Sequence, residues 1–205
     1  HEKRVLRVGN LLKERDLMMG YSFGEKVLTD HPQLTLGMNP GIPESRISDG
    51  FDDLLKQFKN NRVYINTTMD GFEDGYNLAM LEAMATGMPV VTSQNKTSPI
   101  FDGINGFSSN DTDHLSRCIE KLMQDPLLAK EMGVQATKTV AEKFPINKFD
   151  ELAKYLIKKK IVKKFYKPYA CSFETLKYAH SKSYISDIKN KTLDEKRVKK
   201  IGFPL

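Results

Sequence analysis

Two carboxylates eight residues apart, Asp74 and Glu82, bracket the stretch Gly75-Tyr76-Asn77-Leu78, which leads into a run of strong helix formers, Leu-Ala-Met-Leu-Glu-Ala-Met-Ala. A helix expected over Tyr76 to Thr86 separates the two acids by roughly 12 Å along its axis. That is the scale from ribose to sugar across a pyrophosphate. Between them lies the helix start, whose unpaired N–H groups and partial positive charge suit phosphate. Gly75 has no Cβ to hold a ligand away from the backbone. One element thus offers a nucleotide-sugar three contacts: carboxylate, amides, carboxylate. The spacing equally allows Asp74 to be only a helix cap and Glu82 a solvated helix residue.

The elements that must position these residues follow an alternating strand and helix pattern through the first 160 residues, the mark of an α/β fold with a Rossmann-like parallel sheet sandwiched by helices. Arg4 to Val8, Gln33 to Leu36, Arg62 to Asn66 and Val90 to Thr92 read as strands. Leu17 to Leu28 is helix-compatible but interrupted by Gly20 and Gly24, and His31-Pro32 ends it. Phe51, Leu54, Leu55 and Phe58 fall at i, i+3, i+4 and i+7, an amphipathic helix. Gly87 closes the helix that carries Glu82, and Pro89 stops its continuation. Asp102-Gly103 and Asn105-Gly106 mark turns. Further helices are expected at His114 to Met123, Pro126 to Phe144 and Asn147 to Lys160. The first strand runs into Gly9-Asn10-Leu11-Leu12 with no G-x-G-x-x-G, which argues against a dinucleotide fingerprint.

The run from Asp74 to Thr92, with its Leu-Glu-Ala-Met-Ala-Thr-Gly-Met-Pro-Val-Val core, resembles the donor-site signature of retaining GT-B glycosyltransferases of the group-1 (family-4) type. Those enzymes carry a Glu, seven intervening residues and a second Glu, then Ala-Met-Ala-x-Gly-x-Pro-Val-Val. Val8-Gly9-Asn10 with Arg15 stands where the family has Val-Gly-Arg and a Lys five residues on. Asp102-Gly103-Ile104-Asn105-Gly106-Phe107 is similar to its Asp-Gly-x-x-Gly-Phe segment, and Asp125-Pro126, Met132-Gly133 and Glu142-Lys143-Phe144 to its closing helices. The likeness is collinear over about residues 4 to 157.

This resemblance implies the C-terminal, donor-binding half of a two-domain sugar transferase. By position, Glu82 would accept the ribose hydroxyls and Asp74, as catalytic residue, would contact the transferred sugar near its anomeric centre. Gly75, Tyr76, Asn77 and Leu78 would turn amides to the diphosphate. Gly9 and Asn10 would line the donor, and Arg15 would neutralise the departing diphosphate. The nucleotide-diphospho-sugar would be a substrate, with no cofactor and no metal. The acceptor would sit mainly on an N-terminal domain that these residues lack, so the chain alone is expected to bind a nucleotide or its sugar weakly and to transfer nothing. Three departures stand out. Asp74 replaces Glu, with Glu73 adjacent and able to take the role. Asn10 replaces Arg, which only Lys13 or Arg7 could make good. The chain from Pro40 to Phe51 is too short for the strand and loop that contact the base. Alternatives are a sugar-nucleotide epimerase of the same fold or a degenerate, non-catalytic scaffold.

Length and composition set the frame. The 205 residues are 40% hydrophobic, 28% charged and 9% aromatic, which excludes bulk disorder and fibrous repeats. The apolar runs are far shorter than the roughly 20 residues of a membrane span, and no signal peptide is visible. Opening on a strand without Met suggests a fragment of something longer. Cys118 and Cys171 form neither a disulfide framework nor a metal spacing, which points to a reducing, cytoplasmic setting. The histidines, His1, His31, His114 and His180, are scattered without ligand spacing.

Charge divides the chain into a domain over 1–160 and a tail over 161–205. From Lys158 to Leu205 there are 14 Lys and Arg against 4 Asp and Glu, a balance of +10, leaving −4 for the rest of a chain whose net charge is +6. The tail is open to three readings. It is a solvated extension, a peripheral attachment to an anionic membrane, or a truncated second domain. For the last, Phe173 to Ile185 and Ile201-Gly202-Phe203-Pro204 resemble the opening of a histone-deacetylase-like, acetoin-utilisation domain. Lys163-Lys164-Phe165-Tyr166-Lys167 interleaves charge and aromatics, but no nucleic-acid-binding fold surrounds it and no nucleic-acid partner is expected.

Overall fold

The computed structural model describes residues 2–43, 45–145 and 147–159, with residues 183, 186, 187, 190 and 192. The 161–205 tail, with its membrane and deacetylase-like readings, lies almost wholly outside the described residues. The chain divides into two units, His1–Glu151 and Leu152–Leu205, and the fold below is that of the first.

Its elements are β1 (Glu2–Val8), α1 (Asp16–Met19), α2 (Tyr21–Leu28), β2 (Gln33–Leu36), β3 (Ser45–Arg46), α3 (Gly50–Asn60), β4 (Asn61–Asn66), α4 (Leu78–Ala85), β5 (Val90–Thr92), β6 (Gly106–Ser108), α5 (Thr112–Gln124) and α6 (Pro126–Lys143). The helix α7 (Asn147–Lys158) follows. All six strands run parallel in the order β3-β2-β1-β4-β5-β6.

A parallel sheet is covered on both faces, and its strand residues divide accordingly. Val5, Val63, Ile65 and Val91 pack with Val27 and Leu28 of α2, with Leu115, Ile119 and Leu122 of α5, and with Met132 of α6. Leu6, Leu34, Leu36, Tyr64 and Val90 pack on the other face with Phe58 of α3, with Met80, Ala83 and Met84 of α4, and with Ala136 of α6. Each such aliphatic side chain contributes about 1.5–3 kcal/mol by leaving water.

Local chemistry sets the helix ends. Gly20, in the left-handed conformation at φ 58°, splits the expected Leu17–Leu28 helix into α1 and α2. A Cβ there would lie 2.3 Å from the Thr67 carbonyl oxygen, so only glycine lets the two chains meet. Asp111 caps α5 through the N–H groups of Asp113 and His114. Asp125 caps α6 through those of Leu127 and Leu128, with Pro126 in the first turn. Where α6 crosses the end of α4, a Cβ on Gly133 would fall 1.9 Å from the Gly87 carbonyl oxygen.

Two short strands escaped the sequence reading. β3 lies in the segment expected to be too short for the strand and loop that contact the base, two residues paired with Thr35 and Leu36 at the sheet edge. β6 pairs Gly106, Phe107 and Ser108 with β5 where only a turn was expected. α4 begins at Leu78 rather than Tyr76, because the Asn77 side chain caps it by accepting the Met80 N–H at 3.1 Å.

Candidate donor site at the switch point of the sheet

The strand order reverses between β1 and β4: the chain runs outward from β1 to β2 and β3, then returns to lay β4 on the other side of β1. In open parallel sheets, ligands bind beyond the carboxyl ends of the strands at such a reversal. Two loops meet there, one after Val8 and one after Asn66, and they hold every site residue expected from the sequence apart from Leu78, which opens α4, and Glu82, one turn into it.

The β1 loop is closed by amide side chains. Asn39 accepts the Leu12 N–H at 3.0 Å and donates to the Gly9 carbonyl at 2.8 Å. Asn10 accepts the Met38 N–H at 2.8 Å, so it ties this loop to the one after β2. Leu11 adopts a φ of 54°, and a Cβ on Gly37 would lie 2.1 Å from the Gly9 oxygen. Arg15 is exposed and has no carboxylate partner among the described residues.

Neither cation expected to compensate for Asn10 is free. Arg7 is buried on the α2 face, paired with Glu25 at 2.8 Å, hydrogen-bonded to Thr35 and stacked over Tyr21 at 4.9 Å. Lys13 donates to the Gly41 carbonyl at 2.5 Å and lies 5.6 Å from the Tyr21 ring.

The β4 loop is organised around a buried acid. Asp74 is 1% exposed. It accepts from Asn66 Nδ2 at 2.7 Å and from Asn77 Nδ2 at 3.2 Å, while its own N–H donates to Thr97 Oγ1 at 2.7 Å. Asn77 also donates to Asn66 Oδ1 at 3.0 Å, so one network joins the end of β4 to the cap of α4. Burial pushes the Asp74 carboxyl above its usual range, against the hydrogen bonds of Thr68, Asn77 and Asn66 and with help from the Glu73 charge.

The carboxylate expected to reach the transferred sugar therefore faces the inside of the turn. The exposed acid is Glu73, whose Oε1 accepts the Gly75 N–H at 2.7 Å. Asn66, Thr68, Asn39 and Thr97 were not singled out from sequence. Asn66 ends β4 and the others lie in loops, and the bonds of Asn39 to Gly9 and Leu12 and of Thr97 to Asp74 join segments far apart in the chain.

Tyr76 and Leu78, 69% and 71% exposed, stand at the start of α4, with Tyr76 edge-on to Phe144 at 5.6 Å. Glu82 is exposed on α4, and among the described residues no hydrogen bond or ion pair holds its carboxylate. Partial burial alone raises its pKa. The expected residues thus lie in segments at one end of the sheet, where among the described residues Arg15 has no carboxylate partner and Glu82 has no hydrogen-bond or ion-pair partner, while Asp74 is sealed inside. Among the described residues no group of three or more His, Cys, Asp and Glu could hold a metal ion, and no helix is long and apolar enough to cross a membrane.

Residues 27–125 match the family model of Glycosyl transferases group 1. No curated protein matches the chain. Several solved structures do. TarM of S. aureus, solved with UDP among its ligands, aligns at 20% identity and a TM-score of 0.57 over 76% of this chain and 35% of its own. HepE of Anabaena, solved with UDP-glucose, aligns at 13% identity and a TM-score of 0.61 over 78% of this chain and 49% of its own. The C-terminal domain of LpcC, a group 1 glycosyl transferase of Francisella tularensis, aligns at 14% identity and a TM-score of 0.52 over 70% of this chain and 87% of its own. The chain thus spans only a third to a half of the longer structures, about the part that LpcC contributes as a separate domain. The likeness to the group 1 glycosyl transferases thus covers residues 27–125, and the sheet has the fold of the GT-B glycosyltransferase structures that it matches.

Proposed function

We propose that the domain is the donor half of a retaining glycosyltransferase and grips a nucleotide-diphospho-sugar at the β1–β4 switch point. The observation that carries this reading is the exposed Glu82 carboxylate, without a partner among the described residues, one turn beyond the capped start of α4. Glu82 takes the ribose hydroxyls, and the amides of Gly75 to Leu78 take the diphosphate. Arg15 meets the charge that builds on the diphosphate as the sugar leaves, without a metal ion. Asp74 serves from inside, through Asn77, by holding those amides in place. The acceptor and the remaining catalytic groups belong to a partner domain, so these residues alone bind without transferring.

UDP is the first nucleotide to test, because the structures of TarM and HepE carry it. Titration calorimetry with UDP, GDP and ADP is expected to show weak binding of one of them, reduced at least about tenfold in Glu82→Ala. Sugar transfer by this chain alone contradicts the dependence on a second domain. The rival reading, a scaffold that no longer holds nucleotide, draws on the sealed Asp74. It predicts no heat with any of the three. For the basic tail we retain attachment to an anionic membrane as a proposal, tested by sedimentation with phosphatidylserine vesicles against phosphatidylcholine vesicles.

A further inference from the structure

The amide at the heart of this site is already taken. Gly75 N–H donates to Glu73 Oε1 at 2.7 Å, a bond between a backbone donor and a full negative charge. The Gly75 N–H carries a single hydrogen, so Glu73 Oε1 and any other acceptor compete for it. The two acids of the turn differ in mobility. Asp74 is anchored through its N–H to Thr97 and through its carboxylate to Asn66 and Asn77. Glu73 is exposed, and the Gly75 amide is its one hydrogen-bond partner among the described residues.

We propose that Glu73 determines how tightly the diphosphate is held, as a tethered carboxylate that occupies the Gly75 amide and must be displaced by a phosphate oxygen. The inference rests on the donor-site reading above. It gives Glu73 a role opposite in sign to that of Glu82: one carboxylate holds the ligand, the other competes with it. A competitor fixed to the chain is present at high effective concentration, weakens diphosphates selectively and leaves nucleosides untouched. It also favours release of the nucleoside diphosphate once the sugar has gone.

The test is calorimetry of the full 205-residue chain with UDP and with uridine. Glu73→Ala is expected to tighten UDP by about tenfold, with uridine unchanged. Glu73→Gln, which removes the charge but keeps an oxygen able to accept from Gly75, is expected to fall between Glu73→Ala and the wild type. Asp70→Asn makes the same charge change on an exposed acid nearby that pairs with Lys96 instead, and is expected to have little effect. Unchanged or weaker UDP binding in Glu73→Ala overturns the inference, as does equal tightening by Asp70→Asn, which would reduce Glu73 to bulk charge. In both cases UDP still binds and Glu82→Ala still weakens it, so the donor site itself stands. Absence of nucleotide binding in every form overturns both.

Discussion

The two loops that meet at the switch point solve the same problem in opposite ways. After β1, neutral side chains close the loop onto backbone: Asn39 spans Gly9 and Leu12, and Asn10 reaches Met38. The charge, Arg15, is left outside. After β4, the charge is inside: Asp74 is the hub, and Asn66, Asn77 and Thr97 are arranged around it. The comparison teaches that stability and ligand contact are separable in the first loop and fused in the second. On the donor-site proposal, Arg15, which no carboxylate holds among the described residues, is removable from the β1 side at little cost to the fold. On the β4 side the groups proposed to aim the amides are the same ones that tie the end of β4 to the cap of α4.

The largest expected effect follows from that fusion. Asp74→Ala strands the amide groups of Asn66 and Asn77 and is expected to cost about 2–3 kcal/mol, read as a lower midpoint in urea. It is also expected to weaken UDP, because the cap of α4 loses its support. Asn39→Ala leaves the Gly9 carbonyl and the Leu12 N–H without their side-chain partner, for about 1–2 kcal/mol. Equal losses in UDP affinity for these two variants at matched stability would break the distinction between the loops.

Protonation sharpens it further. The ordinary value of Asp74 is 3.8, and burial raises it in the folded state. The folded chain therefore holds this proton to higher pH than the unfolded one, and the contribution of Asp74 to stability falls as pH rises from about 3.8 through the raised value. Asp74→Asn lacks that slope. Urea midpoints of both proteins between about pH 4 and 7 are expected to converge at the acid end, and parallel curves would place the Asp74 ionisation elsewhere. Smallest in stability is Arg15→Ala, expected to change it by less than about 0.5 kcal/mol while weakening UDP about threefold and uridine not at all.

Much of the sheet was legible, and the reasons for the gaps are physical. The central strands announce themselves because both faces are buried: Val5 with Leu6, and Val63, Tyr64 and Ile65 together, leave little but apolar residues. β3 and β6 carry two and three residues at the edges, too few to show a period. Glu82 was legible as an exposed helical carboxylate, because the helix formers around it fix its register. The fate of Asp74 was not. Whether an acid before a helix faces solvent or the interior depends on partners brought in from β4 and from the loop after β5, and spacing along the chain records neither. The same blindness hid Glu73: a choice between neighbouring carboxylates is made by the turn.

One further consequence belongs to β1. It stands at the middle of the sheet, yet Val5 pairs with Gln33 on one edge and with Val63 on the other. The strand on which both halves are built thus waits for a neighbour almost sixty positions later in the chain before its second edge is closed. Such distant pairing slows folding and leaves a half-made, sticky border in the interval. Assembly of the domain should accordingly show a lag set by the arrival of β4, and an excess of chaperone that shields bare strand edges should shorten losses during that lag without altering the final product.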